Sequence, residues 1–238
     1  MASHFQGPTN RRDFLATAGL LAGAAALWTP AALAAAKKPA ASKPVDVTPP
    51  EDLMREHGVL RRLLLVYEDL GGRLQGGKEL PLPVLTGAND LIRRFIQDYH
   101  EKDEEDYLFP RFEKAGKMVD LVKVLYAQHQ VGRKVMAQLQ ALSTAASLEQ
   151  PTARQQIAAH LQMFTRMYRP HAAREDTVLY PAFRGVISPK EFQALSDTFE
   201  DKEQKLFGKD GFEKIVTQVA DLEQTLGLYE LSQFTPKA

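Results

Sequence analysis

The 238-residue chain contains no cysteine, which removes disulfides, iron–sulfur clusters, thiolate zinc sites and cysteine nucleophiles at once. Any metal it holds must be held by imidazole and carboxylate. An excess of one charge is also lacking, since Lys+Arg and Asp+Glu each number 30. No basic field marks a nucleic-acid partner and no acidic field marks a cationic one. Strand-type alternation and hairpin dipeptides are scarce, and no phosphate-cradling glycine loop or nucleophile elbow occurs. Beyond the first 36 residues, no stretch approaches the ~20 apolar residues needed to span a bilayer. What is present is an ordinary globular balance, 44% hydrophobic and 25% charged, enough for a substantial core.

Residues 10–36 read NRRDFLATAGLLAGAAALWTPAALAAA. Arg11-Arg12 precede Phe14-Leu15 and a short Ala/Gly-rich apolar run, followed by Pro30 and an A-x-A pattern at Ala32-Leu33-Ala34. The run is a weak membrane span and a good signal core. The paired arginine with Phe-Leu resembles the signal of the bacterial twin-arginine export pathway. That resemblance implies a periplasmic or exported protein that meets the twin-arginine machinery already folded, often with its cofactor inserted. Residues 1–34 then read as a signal peptide whose cleavage leaves no stable membrane span, with a general secretory signal or an uncleaved anchor as the other reading. Residues 35–50, rich in Ala, Lys and Pro, read as a flexible linker.

From Glu51 the pattern is helical. Leu53, Leu60, Leu63, Leu64 and Tyr67 form one stripe of a 3.6-residue helix, opened by Pro49-Pro50 and closed by Gly71-Gly72 to Gly77. Further helices are expected over 82–114, with an irregularity near Pro110, over 117–143, and from Pro151 past Pro170 to about Gly185. Ser188-Pro189-Lys190-Glu191 combines a Ser cap, Pro at the first helical position and Glu three residues after the cap, which starts a fifth helix; a sixth runs over 212–226. The predicted fold is all-α: a four-helix up-and-down bundle over 51–186 with two additional C-terminal helices within 187–238.

The chain repeats itself. His100-Glu-Lys-Asp-Glu104-Glu-Asp-Tyr-Leu108-Phe-Pro110-Arg-Phe112 aligns with His171-Ala-Ala-Arg-Glu175-Asp-Thr-Val-Leu179-Tyr-Pro181-Ala-Phe183. The shared residues are His, Glu, Leu, Pro and Phe. Upstream, Glu56-His57-Gly-Val59-Leu-Arg61 aligns with Gln128-His129-Gln-Val131-Gly-Arg133. The halves form a duplicated helix pair, each donating His and then His-x3-Glu. Residues i and i+4 share a helix face, so four imidazoles and two carboxylates converge inside a pseudo-twofold bundle. A buried carboxylate without a partner costs several kcal/mol, which a cation removes. Six donors exceed what one tetrahedral zinc needs. They suit two non-haem iron ions, each with two His and both sharing bridging Glu104 and Glu175.

The pattern His, His-x3-Glu, His, His-x3-Glu, with E-[ED]-x2-L-[FY]-P after each second His, resembles the haemerythrin-like (HHE cation-binding) proteins over residues 50–185. The resemblance implies iron ligation by His57, His100, Glu104, His129, His171 and Glu175. Oxygen-carrying haemerythrins have a further His one turn after the third-helix His. Arg133 stands there, so one iron has one imidazole fewer. Reactivity toward O2, peroxide or nitric oxide gains over reversible carriage. An enzyme of catalase-, peroxidase- or nitric-oxide-reducing type, a carrier, sensor or store of O2 or iron, and a structural or docking protein all stay open.

The remaining candidates have plainer readings. His160 lies about 16 Å along the axis from His171 at 1.5 Å per residue, too far to join the centre. Arg61 and Arg133 read first as solvated charges and second as anchors for a bound anion. Tyr126 and Tyr168 read as core residues with satisfied hydroxyls, and the acidic run 101–106 as a solvated face apart from Glu104. His100-Glu101-x-x-Glu104 lacks the second His of a zinc protease, and the Glu-x-x-His of ferritin-like bundles is missing.

Overall fold

The computed structural model describes residues 47–236; the export segment and nearly all of the linker lie outside the described residues. Thr48 opens the first helix, α1 (Pro49–Gln75). Its hydroxyl accepts from the Glu51 N–H while the Glu51 carboxylate accepts from the Thr48 N–H at 2.9 Å. This reciprocal cap satisfies two amides that no helical carbonyl can reach. The stripe read from the sequence is the buried face: Leu53, Leu60, Leu63, Leu64 and Tyr67 are each at most 1% exposed.

The second helix, α2, is continuous from Leu82 to Lys114 but changes pitch. It is α-helical over Leu82–Leu91, a π-helix over Ile92–His100, α-helical over Glu101–Asp103, π again over Glu104–Leu108, and α-helical over Phe109–Lys114. After α3 (Val119–Leu142) and a single turn at Ala145–Leu148, the fourth helix, α4, repeats the second change. It is α-helical over Pro151–Arg174, a π-helix over Glu175–Leu179, and ends in Tyr180–Ala182 and a 3-10 turn at Phe183–Gly185. The Phe109 N–H bonds Glu104 O, and the Tyr180 N–H bonds Glu175 O, each five residues back. Proline lacks an N–H and its ring crowds the carbonyl four residues before it. A widened turn ahead of Pro110 and Pro181 relieves that conflict, so the irregularity expected near Pro110 falls in the turn preceding it. Both wide turns begin at a Glu of the repeated motif, the usual setting of a π-bulge at a functional site.

The last helices are α5 (Pro189–Phe207) and α6 (Gly211–Leu226). Ser188 and Glu191 form the expected reciprocal cap of α5. The described residues contain no strand, and no helix among them is long and apolar enough to cross a membrane. The chain is therefore an all-helical bundle. The closest pairing is α1 with α4; α3 packs on α4 and α2, and α6 lies on α1 and α2.

The core divides into two apolar clusters. One holds Leu60, Leu63, Phe95, Ile96, Val135, Phe164 and Tyr168; the other holds Leu53, Leu108, Phe112, Leu125, Leu179, Phe183 and Phe199. Each of the four long helices passes from one cluster to the other, through a polar layer at His57, at His100–Glu104, at His129 and at His171–Glu175. Fully burying one such apolar side chain contributes about 1.5–3 kcal/mol. Two clusters of them offset the cost of carrying a buried polar layer between.

Candidate metal centre

The structure brings all six predicted residues together. Taken in the order His57, His100, Glu104, His129, His171, Glu175, each touches the next and the last touches the first. The two histidine pairs meet Nε2 to Nε2, at 3.1 Å for His57–His100 and 3.2 Å for His129–His171. Glu104 Oε2 lies 3.6 Å from His100 Nε2 and 3.5 Å from His129 Nε2. Glu175 Oε2 lies 3.1 Å from His171 Nε2 and 3.3 Å from His57 Nε2. Each carboxylate thus joins the imidazole of its own helix to one from the other repeat. All six residues are at most 4% exposed.

The outer face of each imidazole decides what its inner face offers. His57 Nδ1 is 2.7 Å from Asp176 Oδ1, and His100 Nδ1 is 2.8 Å from Glu56 Oε2. His129 Nδ1 is 3.1 Å from Glu105 Oε1, and His171 Nδ1 is 2.8 Å from Gln128 Oε1. Every partner is an acceptor, so in the neutral ring Nδ1 carries the proton and Nε2 presents its lone pair inward. Glu104 Oε2 and both oxygens of Glu175 accept no hydrogen bond among the described residues. Lone pairs facing one another at this depth repel unless a cation lies between them. Two donors about 2.1 Å from one cation and at right angles stand about 3 Å apart, close to the spacing of the ring. The donor set, all nitrogen and carboxylate oxygen, suits iron and excludes soft-metal chemistry.

The ionisation of the groups shows the same shortage of positive charge. Burial pushes Glu104 well above the usual carboxylate range, reinforced by the neighbouring charge of Glu175. Glu175 is equally buried, but His171 and then His57 overcome the burial and hold it well below that range. Burial and repulsion from His57 keep His100 well below an ordinary imidazole. Burial also lowers His57 and His129, but Asp176 with Glu175, and Glu101 with Glu105, reverse this and leave both raised. Two carboxylates of equal burial move apart because they share too few cations.

Several surrounding groups depart from the sequence expectation. Arg61 is exposed, as expected, though paired, whereas Arg133 is turned toward buried carboxylates; neither is an anchor inside the site. Arg61 pairs with Asp176, and Arg133 reaches Glu105 at 2.7 Å and Glu101 at 2.8 Å. Each braces the carboxylate that orients a histidine, and the hydrogen bonds with His129 and then Arg133 hold Glu105 down to about 2 against its burial. The acidic run is no solvated face. Glu101 and Asp103 are at most 1% exposed, bonded respectively by the Tyr168 hydroxyl at 2.5 Å and by Lys202. Tyr126 is 49% exposed and is not a core residue, whereas Tyr168 is buried with its hydroxyl satisfied, as expected. His160 bonds Gln156 O and Gln138 Oε1 away from the centre. Tyr180 was missed. Its hydroxyl donates to Glu104 Oε1 at 2.8 Å and lies 3.5 Å from His57 Nε2. Its appearance as Tyr where the first repeat has Phe109 was the only available signal.

An all-helical bundle with a buried His/Glu cluster able to hold cations defines a class, that of helical metal-binding proteins. Comparison with known proteins narrows it. The model of the haemerythrin HHE cation binding domain matches residues 48–183, and again residues 120–225, so the chain belongs to the haemerythrin HHE family. The first match contains all six site residues; the second adds α5 and α6, where the sequence has no histidine. Among curated proteins the chain is similar to the uncharacterized proteins Mb2018 of Mycobacterium bovis and MT2051 and Rv1995 of Mycobacterium tuberculosis. Each is 50% identical over 192 residues, covering 81% of this chain and 75% of theirs. No solved structure matches.

Proposed function

We propose that the chain binds two non-haem iron ions, one at His57 and His100 and one at His129 and His171, with Glu104 and Glu175 shared between them. In this reading the four long helices form an up-and-down bundle over 51–186, and the loaded centre binds or reacts with O2, peroxide or nitric oxide. One observation carries it: four Nε2 atoms meet in pairs in a buried ring with Glu104 Oε2 and both oxygens of Glu175, none of which accepts a hydrogen bond among the described residues. Bound iron would supply Lewis acidity and a change of oxidation state. The chain's own part is to hold the imidazole tautomers, to keep the carboxylates turned inward, and to exclude bulk water with the two apolar clusters.

Arg133 favours turnover over reversible carriage. It occupies the position of the oxygen carriers' additional histidine, and its guanidinium is committed to Glu101 and Glu105. One ion then has a position to give to a small oxidant, as a catalase- or peroxidase-like or nitric-oxide-reducing centre requires. Metal analysis of natively expressed protein should give about two irons per chain, the number that the six donors accommodate. Sustained gas evolution from peroxide supports turnover, and reversible bleaching under vacuum supports carriage. Zinc alone, without redox response, returns the chain to a structural role. Export by the twin-arginine machinery belongs to the same proposal. Replacing Arg11 and Arg12 by Lys should leave the protein unexported in cell fractionation, and N-terminal sequencing of the exported form should begin near residue 35.

A further inference from the structure

The two cation positions share one frame but not one chemistry. Tyr180 stacks on His57 with ring centroids 5.5 Å apart and planes at 21°; its repeat counterpart Phe109 stacks on His129 at 5.5 Å and 22°. Glu56 and its counterpart Gln128 each accept from the Nδ1 of the second histidine, both at 2.8 Å. The geometry is duplicated to within the width of these numbers, so what differs is the atoms. A carboxylate faces His100 where a neutral amide faces His171. A phenol faces Glu104 and His57 where a bare phenyl ring faces His129.

Both differences place the more polar group beside the His57–His100 pair. A charged acceptor on Nδ1–H makes the opposite nitrogen a better electron donor than a neutral amide does. Glu56 therefore strengthens His100 as a ligand, and Gln128 does less for His171. The Tyr180 hydroxyl occupies Glu104 Oε1, leaving Oε2, the atom beside both His100 and His129, as the oxygen presented to a cation. No hydroxyl performs that service for Glu175, whose two oxygens accept nothing among the described residues. Of the other outer charges, Asp176 is paired with Arg61, while Glu105 and Glu101 share Arg133; the second half therefore has one more carboxylate, but Glu101 accepts from the Tyr168 hydroxyl and not from a histidine Nδ1.

We propose that Glu56 and Tyr180 are positioning residues that make the two cation positions unequal, so that the His57–His100 position fills first and the His129–His171 position is the exchangeable one. This rests on the two-ion reading above. It implies that under limiting metal each chain carries one ion at the first position, and that the ion beside Phe109 is the one that leaves and returns.

The test is an anaerobic titration of the metal-free full-length chain with cobalt(II), followed by visible absorption, and with zinc, followed by calorimetry. Wild type should take up two ions in two steps separated by roughly ten- to hundredfold in affinity, the scale of outer-partner effects on metal sites. Glu56→Gln combined with Tyr180→Phe should draw the steps together to within about threefold. Gln128→Glu with Phe109→Tyr should narrow the gap from the other side, by tightening the weaker step and altering its cobalt spectrum. His100→Ala should abolish the first step, whereas His171→Ala should spare it. A single unresolved two-ion step in wild type overturns the proposal while leaving the two-ion centre standing. So does an unchanged gap in both pairs of variants when circular dichroism shows them folded. Uptake of no ion, or of one ion only, overturns the two-ion reading and this inference with it.

Discussion

The helix pair α1–α2 and the pair α3–α4 carry the same His, His-x3-Glu set, and the structure superimposes their roles: facing Nε2 atoms, a carboxylate on each first histidine, an arginine on each of those carboxylates. They differ in the layer outside. In the first pair Leu60 and Gln97 occupy the places taken in the second by Gly132 and Tyr168. The second pair also gains a buried chain absent from the first, in which Tyr168 donates to Glu101 and Glu101 meets Arg133. The counterpart of Glu101 is Ala172, which has nothing to accept with. The six residues of the candidate centre match between the halves, while the groups around them differ.

Substitutions can break or sharpen this comparison. The largest effect should come from the residues common to both halves. Glu175→Ala removes oxygens offered to both positions and should abolish binding of both ions by metal analysis, whereas His129→Ala should remove about half of the bound metal or more. Full metal retention in either variant would remove the centre. Next comes the packing that only the second half has. A Cβ at Gly132 would collide with the Tyr168 hydroxyl, so Gly132→Ala should lose about 1–3 kcal/mol in urea unfolding. Arg133→Gln should cost about 1.5–3 kcal/mol, because it strips a charge-assisted hydrogen bond from Glu105 and the ion-pair partner from the buried carboxylate of Glu101. Its counterpart Arg61 is 49% exposed at the side chain, and Arg61→Gln should cost less than about 1 kcal/mol; equal losses for the two arginines would deny that the halves differ here. The smallest effect has the opposite sign. Nothing lies within 4 Å of a Cβ built on Gly58, so Gly58→Ala in mid-helix should gain about 0.5–1 kcal/mol.

The six residues that the structure brings together were legible because their signal is one-dimensional. Spacing of i and i+4 puts two side chains on one helix face, and duplication separates a functional pattern from chance. The helices were legible for the same reason, with Ser188 and the prolines marking their starts. The outer layer was not. His57 finds Asp176 across 119 residues of sequence, and Lys202 finds Asp103 across 99, so no local pattern links them. The acidic run looked solvated because charge density predicts exposure only when nothing packs on it. Here Lys202 from α5 and Tyr168 from α4 cover it. The twin-arginine reading falls on residues outside the described ones and stands as a proposal for experiment.

Local spacing and repetition alone were sufficient to specify helices and a doubled set of imidazole and carboxylate groups on shared helix faces, because each depends on residues within one or two turns. Only the folded arrangement decided which proton each imidazole keeps, which arginine braces which carboxylate, and that a phenol touches one half of the centre and a phenyl the other. Those outcomes depend on contacts between helices far apart in the chain, where a shift of an ångström decides whether a hydrogen bond exists.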